Sequence, residues 1–265
     1  MEGFNELGYT TDPNNPFSDA FHKAEVENFL RYATTNAVQV GSATYGIATV
    51  RAAILEDYFN KYWVVDAKVP LFMRNNETWM SITRMEIQSM WCPIQKAHGR
   101  VGTSGLGLGY FAIKAASKPS VTSVDVWEIA PEVIELFDKV HVSLPAEIRA
   151  KIHIHNQSIY DMRDQKFDFF FADHYLDAGG AEMLTDVEPI TTQNKIRQYA
   201  LWTQERYMLE LVLNQRIRIS TVDMVTRILF DFWARSGLDK LHGESPDATY
   251  LENFLKLYNK KLRYY

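Results

Sequence analysis

The sequence has a single cysteine, Cys92, so no disulfide can form within the chain. One thiol in 265 residues fits a reducing compartment, and the expectation is a cytoplasmic protein. No apolar run approaches the ~20 residues needed to cross a bilayer, so no membrane association is expected. The N-terminus, "MEGFNELGYTTDPNNPF", lacks the basic start and apolar stretch of a signal peptide. An excess of basic charge is missing too: 28 Lys and Arg stand against 33 Asp and Glu, a net charge of -5. That argues against a general polyanion binder, although a local basic patch, and with it nucleic acid, stays open.

Two nucleotide signatures are also absent. No G-x-x-x-x-G-K-[ST] phosphate loop occurs, and no G-x-G-x-x-G dinucleotide loop. Metal is not expected either. His153 and His155 alternate along one strand and share a side, but no cysteine or carboxylate is spaced to complete a ligand set.

What is present is enough apolar material for a sizeable core, 46% against 23% charged. The rhythm of the middle of the chain is strand, helix, strand, helix, strand, strand. "RVGTS" reads as extended and "GYFAIKAAS" as helical; "VTSVDVWEI" alternates, and "PEVIELFDKV" follows with Pro131 suited to a first helical turn. "KIHIHN" is strand-like, and "KFDFFFAD" is the apolar run of a buried parallel strand. This spacing predicts an α/β fold with a parallel sheet.

The flanks read as helical. "FSDAFHKAEVENFLRYA" and "SATYGIATVRAAILEDYFNKYW", the second capped by Ser42, predict helices from about 18 to 63. "WVVDAKVPLFM" is extended, "RNNE" a turn, and "SITRMEIQSMWCPIQKAHG" a helix with a kink at Pro93 and a stop at Gly99. After Pro189, Ile196, Ala200, Tyr207 and Leu211 keep helical spacing, and helices capped by Ser220 and begun by "SPDATY" follow. Only "RIRIS" reads as a strand after Asp173. The organisation expected is a helical extension with a short extended segment over 1–98, a nucleotide-binding core over 99–188, and a helical region completing or flanking it over 189–265.

Three glycines stand at alternate positions in "GTSGLGLGY": Gly105, Gly107 and Gly109. Glycine weakens strands and helices alike, so the expectation is a sharp turn or a backbone left bare for a ligand. In an open parallel sheet, ligands bind beyond the carboxyl ends of the strands, and an acid closing the second strand takes ribose hydroxyls. Glu128 stands there.

"VGTSGLGLGY", "SVDVWEIAPEVIELF", "KIHIHNQSIYD" and "FDFFFADHYLD" resemble, in order, the four nucleotide-site motifs of class I S-adenosylmethionine-dependent methyltransferases. Within that superfamily the likeness is nearest the spermidine synthase-like branch and covers roughly residues 80 to 182. "WMSITRMEI…AHGRVGTSGLGLG" also looks similar to uncharacterised proteins of phages.

The resemblance implies a Rossmann-like methyltransferase core and S-adenosylmethionine as cofactor. It implies that Gly105, Leu106, Gly107 and Gly109 line the cofactor, that Glu128 binds the ribose, and that Ile129 packs on the adenine. Gln157 and Ser158 fall where the family recognises the adenine. Thr103 stands where most members carry an acid for the methionyl amine. Asp173, with His174 and Tyr175, falls where the family faces the sulfonium and the acceptor, and is the expected catalytic group.

The reaction implied is S-adenosylmethionine-dependent group transfer, most simply methylation of an unidentified acceptor. Two alternatives stand beside it. Thr103 and Gln157, at usually acidic positions, favour a non-catalytic relative that kept the fold. Aminopropyl transfer to a polyamine needs an acidic groove, to which Glu86, Asp173 and Asp177 could contribute, but the family's Asp-Ser-Ser-Asp-Pro phrase is replaced by "DHYLDAGGAE". Arg206, Arg216 and Arg218 and the tail "KLYNKKLRYY" could form a phosphate-binding face or simply be solvated. Phe230, Phe232 and Trp233 read as core or as a subunit interface, which leaves a homo-oligomer open.

Overall fold

The structure, a computed structural model, describes residues 13–16, 18–56, 58, 62–175 and 185–204. Asp177, the three arginines, "RIRIS" and the two C-terminal helices expected from the sequence lie outside the described residues.

The first helix of the described residues is α1 (Asp19–Tyr32), where the Ser18 side-chain oxygen accepts the Phe21 N–H and satisfies a free amide of the first turn. Four strands follow: β1 (Val38–Val40), β2 (Ala43–Glu56), β3 (Tyr62–Arg74) and β4 (Glu77–Ser81). They form an antiparallel sheet in the order β1-β2-β3-β4. The helix expected over 42–63 is therefore corrected to a strand. Thr44, Tyr45, Ile47, Thr49 and Val50 are β-branched or aromatic and suit a pleated surface. Ala43 and Tyr45 are buried two apart, and Tyr45 pairs with Phe72. A bulge at Ala52, with φ of 47°, bends the strand. The "RNNE" turn is as expected, with Asn75 and Asn76 both left-handed.

Helix α2 (Arg84–Lys96) continues through Pro93 and stops before Gly99, the first residue of β5 (Gly99–Ser104). The α/β alternation then runs α3 (Tyr110–Ala116), β6 (Val121–Trp127), α4 (Pro131–Val140), α5 (Ala146–Arg149) and β7 (Ile152–His155). A short 3₁₀ turn (Ile159–Asp161), β8 (Lys166–Phe167), β9 (Phe169–Ala172), α6 (Val187–Thr192), β10 (Lys195–Ile196) and β11 (Tyr199–Leu201) complete the described chain.

Among the described residues, the core is a five-stranded parallel sheet in the order β11-β9-β5-β6-β7. The fold class is α/β and Rossmann-like. The helix expected across Ile196 and Ala200 is corrected to β10 and β11, and β11 extends the sheet beyond β9. Strand β9 is apolar because both its faces are covered: Phe169, Phe170 and Phe171 are all buried. In α4, Val133, Leu136, Phe137 and Val140 are buried at helical spacing, while Glu135 and Asp138 face outward. The antiparallel sheet is tied to this helix by Arg74, which donates to Glu132 Oε1 at 2.7 Å. No helix among the described residues is long and apolar enough to cross a membrane.

Candidate functional site

A cavity of about 400 Å³ opens beyond the carboxyl ends of β5, β6 and β9, a size ordinary for a small-molecule site. Gly105, Leu106, Gly107, Glu128, Ile129, Gln157, Ser158, Asp173, His174 and Tyr175 all line it. Thr103 and Gly109 do not. Thr103 is buried within β5, and the next residue, Ser104, reaches the wall instead.

All three glycines have positive φ, 84° at Gly105, 49° at Gly107 and 75° at Gly109, which side chains resist. The space beside each belongs to protein. A Cβ on Gly105 would lie 2.0 Å from the Asp173 carbonyl oxygen, and one on Gly109 would lie 2.2 Å from the Phe137 ring. One on Gly107 would lie 2.6 Å from Met80 Sδ. Gly105 thus lets the ends of β5 and β9 meet, and Gly109 lets α3 begin against α4.

Glu128 braces the loop from the end of β6. Its Oε2 accepts the Leu106 N–H at 3.0 Å and its Oε1 accepts the Ala130 N–H at 2.9 Å. A carboxylate has lone pairs beyond these two bonds, so it can still accept from a diol in the cavity. Beside it Ile129 is 69% exposed, a large apolar side chain on the cavity wall. Asn156 fixes this corner by donating to the carbonyls of Glu128 and Ile129. Ser158 caps the 3₁₀ turn by accepting the Tyr160 N–H. These features fit a nucleoside: an acceptor of hydroxyl donors, an uncovered apolar face, and an amide side chain, Gln157, nearby.

Of the opposite wall, only Glu86 was offered by the sequence, as a candidate for an acidic groove. Strands β3 and β4 contribute Phe72, Arg74, Trp79 and Met80, and α2 contributes Glu86 and Met90. The Arg74 guanidinium lies 4.9 Å from the centre of the Trp79 ring. Met80 Sδ accepts the Leu108 N–H at 3.1 Å and so covers the glycine loop.

The cavity holds two carboxyl groups that resist ionisation. Burial pushes Asp173 up to about 7. Burial also raises Glu86 well above the carboxylate range, and the charge of Asp173 raises it further. His174 sits beside them, hydrogen-bonded to Ser104 and to Asp186. Burial lowers its pKa, and the Asp186 charge opposes that effect. Ser104 and Asp186 were missed in the sequence. Ser104 had the weak signal of closing the strand before the first glycine. Asp186 had none, since only the folded chain brings it to His174. Of the two alternating histidines, His155 meets Asp125 at 3.0 Å and stacks on Trp127.

No family model matches the sequence, and no curated protein matches it. Several solved structures are similar to it at low identity. The spermidine synthase of Thermotoga maritima is 12% identical, with a TM-score of 0.40 over 62% of this chain and 53% of that one. A candidate RNA methyltransferase of Pyrococcus horikoshii is also 12% identical, with a TM-score of 0.35 over 49% of this chain and 65% of that one. A Thermoplasma acidophilum protein is 12% identical, with a TM-score of 0.34 over 49% of this chain and 68% of that one. The chain spans about half of the first protein and just under two thirds of the second.

Proposed function

We propose that the protein is an S-adenosylmethionine-dependent transferase, most simply a methyltransferase. One observation carries the reading. Ten residues, picked out from four separate stretches of sequence, line a single cavity at the carboxyl ends of a parallel sheet. When bound, the sulfonium of the cofactor would supply an electrophilic alkyl carbon whose bond to sulfur breaks with both electrons on sulfur.

The chain's own residues would do the rest. Glu128 would accept the ribose hydroxyls while it holds the Leu106 amide. Ile129 would cover one face of the adenine, and Gln157 would hydrogen-bond its edge. Asp173, His174 and Tyr175 would face the acceptor, and positioning would supply much of the rate.

A second reading, aminopropyl transfer, is favoured by the Glu86 and Asp173 pair. Two buried carboxyl groups that jointly resist ionisation would give up a proton to an incoming neutral amine and then hold the ammonium so formed. The solved spermidine synthases that resemble the chain make this reading worth testing beside methylation.

Calorimetry with S-adenosylmethionine, S-adenosylhomocysteine and NAD tests the cofactor. Binding of the first two and not NAD is expected. Tighter binding of NAD overturns the assignment, and binding of none at millimolar concentration leaves a non-catalytic relative of the fold.

A further inference from the structure

We infer that Ser104, His174 and Asp186 form a proton-accepting relay on the cavity wall, set to take the proton that an acceptor hydroxyl or amine releases. The inference rests on the transferase reading and adds to it the class of acceptor.

The hydrogen bonds run in one direction. Asp173 donates its backbone N–H to Ser104 Oγ at 3.2 Å. Ser104 Oγ lies 2.7 Å from His174 Nδ1, and His174 Nε2 lies 3.2 Å from Asp186 Oδ2. A carboxylate only accepts, so Nε2 carries the hydrogen. Burial keeps the ring neutral, which leaves Nδ1 bare. The Ser104 hydroxyl therefore donates to Nδ1. Its oxygen has two lone pairs, and the Asp173 amide takes one. The other is left for a donor in the cavity, which both Ser104 and His174 line.

An acceptor X–H that gains an alkyl group must lose its proton. Here the X–H bond breaks as a new O–H bond forms on Ser104, and the old Ser104 O–H bond breaks as Nδ1 becomes N–H. One proton has moved from X to His174, Ser104 is unchanged, and the electron pair of X–H remains on X for the new bond. The imidazolium is then held by the Asp186 carboxylate, the orienting role that a third group plays in nucleophile–base chains. An acceptor with no proton to lose would not need this chain.

The surroundings fit a base that works near neutrality. Asp186 Oδ1 accepts the Tyr160 hydroxyl at 2.9 Å, and the Tyr160 ring meets His174 edge-on at 6.0 Å. Tyr175 lies alongside, with ring centres 4.3 Å apart, and Tyr199 of β11 faces Asp186. All three phenols are raised above 10 and stay neutral. Asp173, which precedes His174 in the chain, and Glu86 add two carboxyl groups to the same cavity, both raised by burial.

The test uses the full chain with ¹⁵N-labelled histidine. Nitrogen shifts report the tautomer and pKa of His174, and S-adenosylhomocysteine release reports turnover, with ethanolamine as hydroxyl and amine probe. Ser104→Ala keeps the Asp173 N–H bonded to the Ser104 carbonyl, so the fold survives it. The expected spectrum is an Nε2–H tautomer with a pKa below 6.5, lowered further by Asp186→Asn and with Nδ1 shifted by Ser104→Ala. Turnover should rise with pH through that same pKa, follow it downward in Asp186→Asn, and fall at least tenfold in Ser104→Ala.

An Nδ1–H tautomer, an Nδ1 shift unmoved by Ser104→Ala, or a profile that ignores the His174 pKa overturns the relay. If ethanolamine yields no product, the nitrogen shifts alone decide. Failure of the transferase reading shows separately, as absent cofactor binding in calorimetry.

Discussion

Leu106 donates its backbone N–H to Glu128 Oε2 at 3.0 Å, so the acid expected to hold a ligand also holds the glycine loop. The two roles separate on mutation. Glu128→Ala should lower S-adenosylhomocysteine affinity at least tenfold. It should also lower the ligand-free midpoint, since it strands the Leu106 and Ala130 amides, and an unpaired buried polar group costs ~1–3 kcal/mol. Leu106 and Ala130 are themselves buried, but Glu128 is half-buried beside the cavity, so water can take its place and the expected loss sits at the low end. Calorimetry and thermal melting on one sample check it. A midpoint that falls without any change in affinity would leave Glu128 as a brace only.

The neighbouring Ile129 separates in the other direction. At 69% exposure it contributes little to the core. Ile129→Ser should leave the ligand-free midpoint within ~0.5 kcal/mol of the parent, as for most surface changes. Affinity for S-adenosylhomocysteine should fall several-fold. Equal affinity would remove Ile129 from the adenine site.

Gly105 and Gly107 should differ. A methyl group on Gly105 meets backbone, the Asp173 carbonyl, which cannot turn aside. Left-handed strain of ~1–2 kcal/mol then adds to the ~1–3 kcal/mol of overpacking. A methyl group on Gly107 meets Met80 Sδ, the end of a flexible side chain. Gly107→Ala should cost the strain plus the smaller displacement of Met80, and Met80→Ala should lessen only the second part in a double-mutant cycle. Equal losses at the two positions in thermal melting would refute this distinction.

The fold was legible where its signals were local. The loop into α3, Glu128 after β6, and Pro131 at the start of α4 each follow from a few adjacent residues. Strand β2 was not, because its four alanines favour a helix and its pairing with β3 is a contact between separate stretches of chain. Ile196 and Ala200 stand four apart, a spacing that shares a face in a helix and in a strand alike, so tertiary pairing with β8 and β9 had to decide. The glycines were read as clearance for a ligand, but what stands beside them, Asp173, Met80 and Phe137, comes from distant sequence. The same distance hid Ser104 and Asp186. A lone serine and a lone aspartate carry no spacing, and their meaning arises at His174.

Opposed buried groups should give stability an unusual dependence on pH. Asp173 is raised to about 7 and Glu86 is raised with it, so between ~4 and ~7 the folded chain binds more protons than the unfolded chain. Stability contributed by this pair must therefore fall as pH rises through that window. His22 and His141 are both lowered to about 4 by burial. Between ~4 and ~6.5 it is the unfolded chain that binds more protons there, so their contribution rises with pH. The two slopes offset each other in the parent. Asp173→Asn removes the Asp173 titration and relieves Glu86 of a neighbouring charge, while burial still raises Glu86, so the slope of the two histidines is only partly offset. The variant should gain on the order of a few kcal/mol relative to the parent at pH 8, gain little at pH 4, and become more stable from pH 4 to pH 6.5. Urea unfolding at three pH values measures this. A variant that tracks the parent at every pH would mean that Asp173 ionises in the folded chain as it does in water.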